Sequence, residues 1–431
     1  MDSAQLEVAG ASLWRNRDFR LLFSAQIISL LGSGVTTVAL ALFAYQLTGG
    51  ASATAVIGNA LMLRILAFLL FSQPAGVIAD RFNRKQILIA ADLLRFGLLA
   101  LFPFVTTVWQ IYLMIFAINA VTAFFGPTFD ASIPEIVGED QYVKALSLSR
   151  VANDVEAVAA PAVAALLIAL MSVRWVFWFD AITYLLSALL VFFATVPFVA
   201  KTLARLSLRS FMAELTTGTR ILLGEPSLRQ ALTLSIAEAT AGAAAIVATV
   251  SYVRDILGRS DTAFAFTMAI LGFGSSVTAI FLGRATGRYE RGARDKATLH
   301  GRRHAWSARA LIAGGTVLSL VLLPDFLRPP FLVFAFLWML NGTGQALIAI
   351  PSSTLLAEHT VEAERGRAYA AHFALTHFFW LLSYPAIGHA AANWGAPKTF
   401  TAAGFVCLGV TIFAFLIGYG RRDPHRHVAP D

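Results

Sequence analysis

A chain of 431 residues that is 58% apolar and only 13% charged cannot cover itself with polar surface, because soluble domains carry about 25% charge. That excludes a soluble enzyme, with or without a single anchor. The formal charge of +8 does not point to nucleic acid either: most of the 33 Lys and Arg fall in polar joints on one side of the apolar stretches, the distribution that the positive-inside rule produces.

A membrane span needs about 20 mostly apolar residues, and twelve such stretches can be laid along the chain with short joints between them. The expectation is therefore an all-α membrane protein of twelve transmembrane helices, with both termini cytoplasmic. The lone Cys407 excludes an intramolecular disulfide and a cysteine metal cluster. The first apolar run starts after Asp18 and is too long for the h-region of a cleavable signal.

In chain order, residues 1–18 form a polar leader with Trp14, Arg15 and Arg17 at the expected interface. The first span (19–47) carries Gln26, Ser29, Ser33, Gly34 and Thr36; small and polar groups in a span face protein or water, not lipid. The second (53–79) has Arg64 near its middle, and the third, from residue 86, contains Asp92 and Arg95 at i,i+3, within reach of each other. The fourth starts at Trp109, carries Asn119 and Thr122, and is expected to end at Gly126-Pro127, followed by a polar loop over 129–144. The fifth (145–171) holds Arg150, Asp154, Glu156 and Pro161, and the sixth (175–196) returns to the inside.

A linker over 197–229 divides the chain into an N-terminal bundle (1–196) and a C-terminal bundle (230–420), followed by a tail (421–431). Glu238 lies in the seventh span, Asn341 and Gln345 in the tenth, and His372, His377 and His389 in the eleventh.

The joint after the second span reads Gly76-Val77-Ile78-Ala79-Asp80-Arg81-Phe82-Asn83-Arg84-Lys85. It resembles the loop between the second and third helices of the major facilitator superfamily: Gly, three residues, Asp-Arg, two residues, Arg-Lys. A worn copy follows the eighth span, with Gly283, Arg288 and Arg291 in register and Gly287 in place of the acid. The resemblance, to the twelve-helix drug-efflux (proton antiporter) branch, implies two pseudo-symmetric six-helix bundles. It also implies that Gly76, Asp80, Arg81, Arg84 and Lys85, with Gly283 and Arg288, form a cytoplasmic conformational latch. Two departures stand out. The fifth span reads Ala160-Pro161-Ala162 where exporters continue with glycines, and Ile118-Asn119-Ala120 stands where proton antiporters place an Arg. Segments 150–156 and 376–385 are similar to a subgroup that includes nickel-resistance permeases.

Charged residues in a span cost roughly 2.5–3.5 kcal/mol each on insertion scales and are usually paired or functional. Asp154 and Glu156 lie about 200° apart on one helix at 100° per residue, so they cannot share a face. Asp154 has Arg150 one turn away as a structural partner; Glu156 has no local base. Asp154, Glu156, Glu238 and His377 are the candidates for proton or cation coupling, against the alternative of structural pairing or interhelical hydrogen bonds. Arg64 and Arg150 are the expected charge partners, and Gln26, Asn119, Asn341 and Gln345 candidate cavity residues. His377 is the one candidate metal ligand.

These features predict a monomeric transporter in the cell (inner or plasma) membrane, working by alternating access. Its partners are the lipid bilayer, a small-molecule or cation substrate, and the proton as coupling ion, with no cofactor. Proton-coupled efflux of a drug-like compound leads; a divalent cation such as nickel is the alternative cargo, and a non-transporting membrane sensor a further alternative. No phosphate loop, His-Glu-x-x-His or nucleophile elbow argues for an enzyme.

Overall fold

The computed structural model describes residues 13–197, 208–292 and 296–419. Its α-helices are α1 (Arg17–Thr48), α2 (Ser52–Arg81), α3 (Arg84–Leu101), α4 (Val108–Val137), α5 (Glu139–Leu170), α6 (Val173–Phe193), α7 (Leu208–Gly224), α8 (Pro226–Ser251), α9 (Asp261–Gly292), α10 (Lys296–Leu322), α11 (Phe331–His359), α12 (Glu362–Trp394) and α13 (Ala396–Tyr419). Among the described residues, ten helices are long and apolar enough to cross a membrane. The two that complete the twelve are α5 and α12, which are as long but interrupted by charged and histidine residues; in α5 only Ala159–Leu170 is continuously apolar. The thirteenth helix, α7, falls in the expected linker.

The spans turn large apolar side chains outward and keep their few polar groups inside. On α6 the buried face carries Asp180, Thr183, Tyr184 and Ser187, while Ile182, Leu185, Leu189 and Phe192 are exposed. Lipid tails solvate leucine as well as a protein core does, so packing is left to small and hydrogen-bonding groups.

The fourth span differs from its expected length. Helix α4 runs through Pro127 and Pro134 to Val137, and Gly138 alone, at φ 77°, makes the break before α5. A left-handed φ of that kind is open to glycine at little cost. Proline is tolerated in membrane helices packed among neighbours; hydroxyl groups beside these prolines bond back onto the same helix, Thr128 to the Phe124 carbonyl (2.6 Å) and Ser132 to that of Thr128 (2.7 Å). The polar stretch expected as a loop is thus helix. The end of the leader is tied to it: the Asn16 side chain caps α1 by accepting from the Asp18 and Phe19 amides, and donates to the Ile136 carbonyl (2.8 Å).

The chain forms two compact units: Met1–Arg205 with Ile246–Gly272 and Tyr384–Ala396, and Leu206–Ala245 with Phe273–Ser383 and Pro397–Asp431. In the first, α1 packs on α5 and α6, α2 on α4, and α3 on α4 and α6. A cluster of Leu22, Phe23, Leu88, Phe125, Phe129 and Ile133 closes one end.

The C-terminal part of α12 crosses α2 in the same unit at glycine distance. Thr54 donates to the Gly388 carbonyl (3.0 Å), and a Cβ on Gly58 would overlap the Tyr384 carbonyl oxygen. Backbone cannot rotate aside, so Gly58→Ala is expected to cost about 1–3 kcal/mol, read as a lower thermal midpoint of the purified protein.

Also in this unit, the other end of α1 is held by Tyr45 donating to Asp255, which lies in a π-helical turn after α8, and by Gln46 donating to Asp261 (3.0 Å). In the second unit, α10 and α11 meet at Gly314 and Gly344, and Gly218 of α7 lies against the Arg367 carbonyl of α12.

Candidate functional site

Helix α1 is the spine of the site, and two of its glycines decide what stands beside it. Gly32 lies against the Asp180 carboxylate and the Thr183 hydroxyl of α6, and Gly34 against the Glu156 carboxylate and Ala160 of α5. Positions two apart on a helix face nearly opposite ways, so the two acids flank α1 on opposite sides at about the same height.

Between α1, α2, α4 and α6 lies a cavity of about 60 Å³, lined on its polar side by Ser33, Thr36, Thr37, Arg64, Asn119, Asp180 and Tyr184, with Leu40, Leu61 and Phe68 among its apolar walls. A water needs about 10–15 Å³ of such space, so the cavity admits several. Arg64, half-buried, donates to the Thr37 hydroxyl (3.1 Å), and its guanidinium is the cation that acts electrostatically on Glu156. Asn119 donates to its own helix at the Ile115 carbonyl (2.8 Å).

Asp180 is the functional candidate that the sequence reading missed. It is 1% exposed, and accepts hydrogen bonds from Thr36 (2.5 Å) and Thr183 (3.1 Å). Behind it the network continues. Ser33 and Tyr184 share a hydrogen bond (2.7 Å), and the Arg95 guanidinium lies 4.2 Å from the Tyr184 ring centroid and 4.4 Å from that of Phe125. Arg95 is paired with Asp92, which also accepts from Ser187 (2.7 Å). The signal was present: an acid five residues into a span whose neighbours at i+3 and i+4, Thr183 and Tyr184, are polar too.

The other sequence candidates are placed as follows. Arg84 is 1% exposed, pairs with Asp80 (3.3 Å) and with Glu135 of α4 (2.5 Å), and donates to the Ala79 and Ala131 carbonyls. Arg81 is exposed, and Lys85 lies 5.5 Å over the Phe192 ring. Gly76 and Gly283 both sit within helices. Gln26 is buried, with its carbonyl oxygen unpartnered among the described residues.

In the second unit, buried Asn341 accepts from Gln345 (2.7 Å). Glu238 is half-buried on α8, one turn before Gly242, which packs against the Trp380 indole of α12. His377 hydrogen-bonds the Phe373 carbonyl (2.8 Å) and stacks on the Phe373 ring. Among the described residues no three His, Cys, Asp or Glu side chains converge as metal ligands. The side chains of Arg150, Asp154 and Arg288, and the tail from 420, lie outside the described residues.

A family model described as Major Facilitator Superfamily matches residues 22–299 and 232–431. Macrolide efflux protein A of Streptococcus pyogenes is 26% identical over 209 residues, 47% of this chain and 51% of that protein. An uncharacterized MFS-type transporter of Bacillus subtilis, YfiS, is 28% identical over 183 residues, 42% and 43% of the two chains. The chain thus spans about half the length of the curated relatives it matches.

Among solved structures, a bacterial homologue of the human lysosomal transporter Spinster superimposes with a TM-score of 0.71 at 13% identity, over 95% of this chain and 98% of that one. The nucleoside transporter NupG gives 0.70 at 13%, over 92% and 99%. These likenesses show the fold.

Proposed function

Because the chain belongs to the Major Facilitator Superfamily, a family of multi-pass membrane transporters, we propose that it exports a macrolide-like small molecule from the cell across the plasma membrane, driven by inward proton flow. The observation that carries the export reading is the similarity to macrolide efflux protein A. Proton coupling draws its support from the site. Arg64 lines a cavity with room for several waters and acts electrostatically on Glu156 across α1, so a half-buried base, a half-buried acid and an aqueous space stand together in the N-terminal half. Proton and cargo then compete for successive states of one cycle. Glu238 is the matching acid in the C-terminal half, and Asp154 remains a candidate beside them.

In this scheme two six-helix halves (1–196 and 230–420) alternate access, both termini are cytoplasmic, and the segment 76–85 latches the inner face. Divalent-cation export is the second reading. It rests on His372, whose Nε2 is buried without a partner among the described residues and which acts electrostatically on nearby His377.

Production of the protein in a macrolide-sensitive bacterium is expected to lower steady-state uptake of radiolabelled erythromycin and raise tolerance to it, with the difference abolished by a protonophore. Equal uptake with and without the protein would remove macrolides as cargo. A shift confined to nickel tolerance would favour the cation, and absence of flux of either in proteoliposomes would favour a sensor.

A further inference from the structure

We propose that Asp180 is the carboxylate that holds the exchangeable proton in the N-terminal half, and that it takes and gives up this proton through the cavity lined by Ser33, Thr36, Thr37, Arg64 and Asn119. The proposal deepens the proton-coupled reading above and rests on it.

The argument is one of charge balance. Among the described side chains around α1, three carboxylates, Asp92, Glu156 and Asp180, face two guanidiniums, Arg95 and Arg64. Arg95 is taken by Asp92 in a buried ion pair, and Arg64 acts on Glu156. That leaves Asp180 with two hydroxyl donors and, as its one cation, a share of the Arg95 that Asp92 already holds in an ion pair. A carboxylate so deeply enclosed is kept charged only by a counter-ion; otherwise it takes up a proton.

The groups facing it from each neighbouring element are known. Helix α1 presents the Ser33 and Thr36 hydroxyls, α2 Arg64, α3 Asp92 and Arg95, α4 Asn119, and α6 itself Tyr184. Across α1 stands Glu156 of α5. The missing positive charge is a proton and not a metal ion, because a metal ion would share the cavity with the Arg64 guanidinium.

A buried acid without solvent would hold its proton for good. Here the cavity runs from Asp180 to Arg64, with Thr36 bonded to the one and Thr37 to the other. The step is a proton transfer only: H₃O⁺ in the cavity protonates an Asp180 oxygen, water remains, and Thr36 turns its hydroxyl lone pair toward the new acid. The reverse step returns the proton to cavity water once the opposite side has access. Arg64 therefore stands between the two acids: it acts electrostatically on Glu156 and lines the cavity that reaches Asp180.

The test uses the full-length protein and two readouts. Infrared spectra recorded across a pH titration are expected to show the carbonyl stretch of a protonated carboxylic acid that disappears in Asp180→Asn and shifts in frequency in Asp180→Glu. In proteoliposomes, Asp180→Asn is expected to lose pH-gradient-driven erythromycin accumulation while keeping erythromycin counterflow, and Asp180→Glu to regain driven accumulation with a displaced pH profile.

Titrating acid bands identical in wild type and Asp180→Asn, or wild-type gradient-driven accumulation in that variant, overturn the proposal. If Asp180→Asn does not fold, Asp180→Glu decides, since an unshifted band in that variant also overturns it. A wild-type protein that ignores the pH gradient sinks the proton-coupled reading instead, while the infrared band still judges Asp180 independently.

Discussion

Replacing Arg84 by Leu is expected to cost about 3–5 kcal/mol of stability, because breaking one side of a buried ion pair leaves the other charge without compensation. Arg84 is 1% exposed and holds Asp80 and Glu135 together with two backbone carbonyls, so its loss strands Glu135 against apolar packing. Lysine is no substitute, since one ammonium cannot reach four acceptors in a planar fork. Size-exclusion chromatography after heating checks the expectation: Arg84→Leu should aggregate at clearly lower temperature, and adding Glu135→Gln should recover part of the loss. A variant as heat-resistant as the parent would show that the clasp contributes little to folding and leave only a role in the transport cycle.

Removing the charge of Arg64 should strike transport more than fold. With Arg64→Leu, Glu156 faces the bilayer interior without its cation, a situation costing roughly 2.5–3.5 kcal/mol on insertion scales if the acid stays charged. The expected result is lower yield of folded protein and loss of gradient-driven erythromycin accumulation. Arg64→Leu with Glu156→Gln removes both charges and should restore the yield without restoring transport. If the double variant still transports like the parent, neither group belongs to the coupling machinery, and the polar cavity beside α1 is structural.

Much was legible in one dimension. Apolar lengths and basic joints gave the spans, and the spacing of Gly76, Asp80, Arg81, Arg84 and Lys85 gave the family resemblance that the family match later bore out. The pairing of Asp92 with Arg95 was readable because i,i+3 neighbours on one helix must meet. Less legible was α4, where Pro127 reads as a stop in water but is accommodated inside a packed membrane helix that runs on to Val137. That extra length is what delivers Glu135 to Arg84, so the misplaced helix end and the missed ion pair are one error. Asp180 escaped notice for a different reason. Its partners Thr36 and Arg95 lie on other helices, and no periodicity within α6 announces them.

By itself the sequence determined that this chain lives in a bilayer, how often it crosses, and which few ionisable groups are placed there at a cost, because hydrocarbon penalises charge wherever the helix lies. Which acid receives which base was decided only by tertiary structure. Glu156 comes within electrostatic reach of Arg64 through the packing of α5 and α2 on α1, Arg95 is claimed by Asp92, and Asp180 is left with hydroxyls and a cavity. Electrostatic pairing acts over a few ångströms between helices that are distant in the chain, and glycines at 32 and 34 set those distances only once α1 has neighbours.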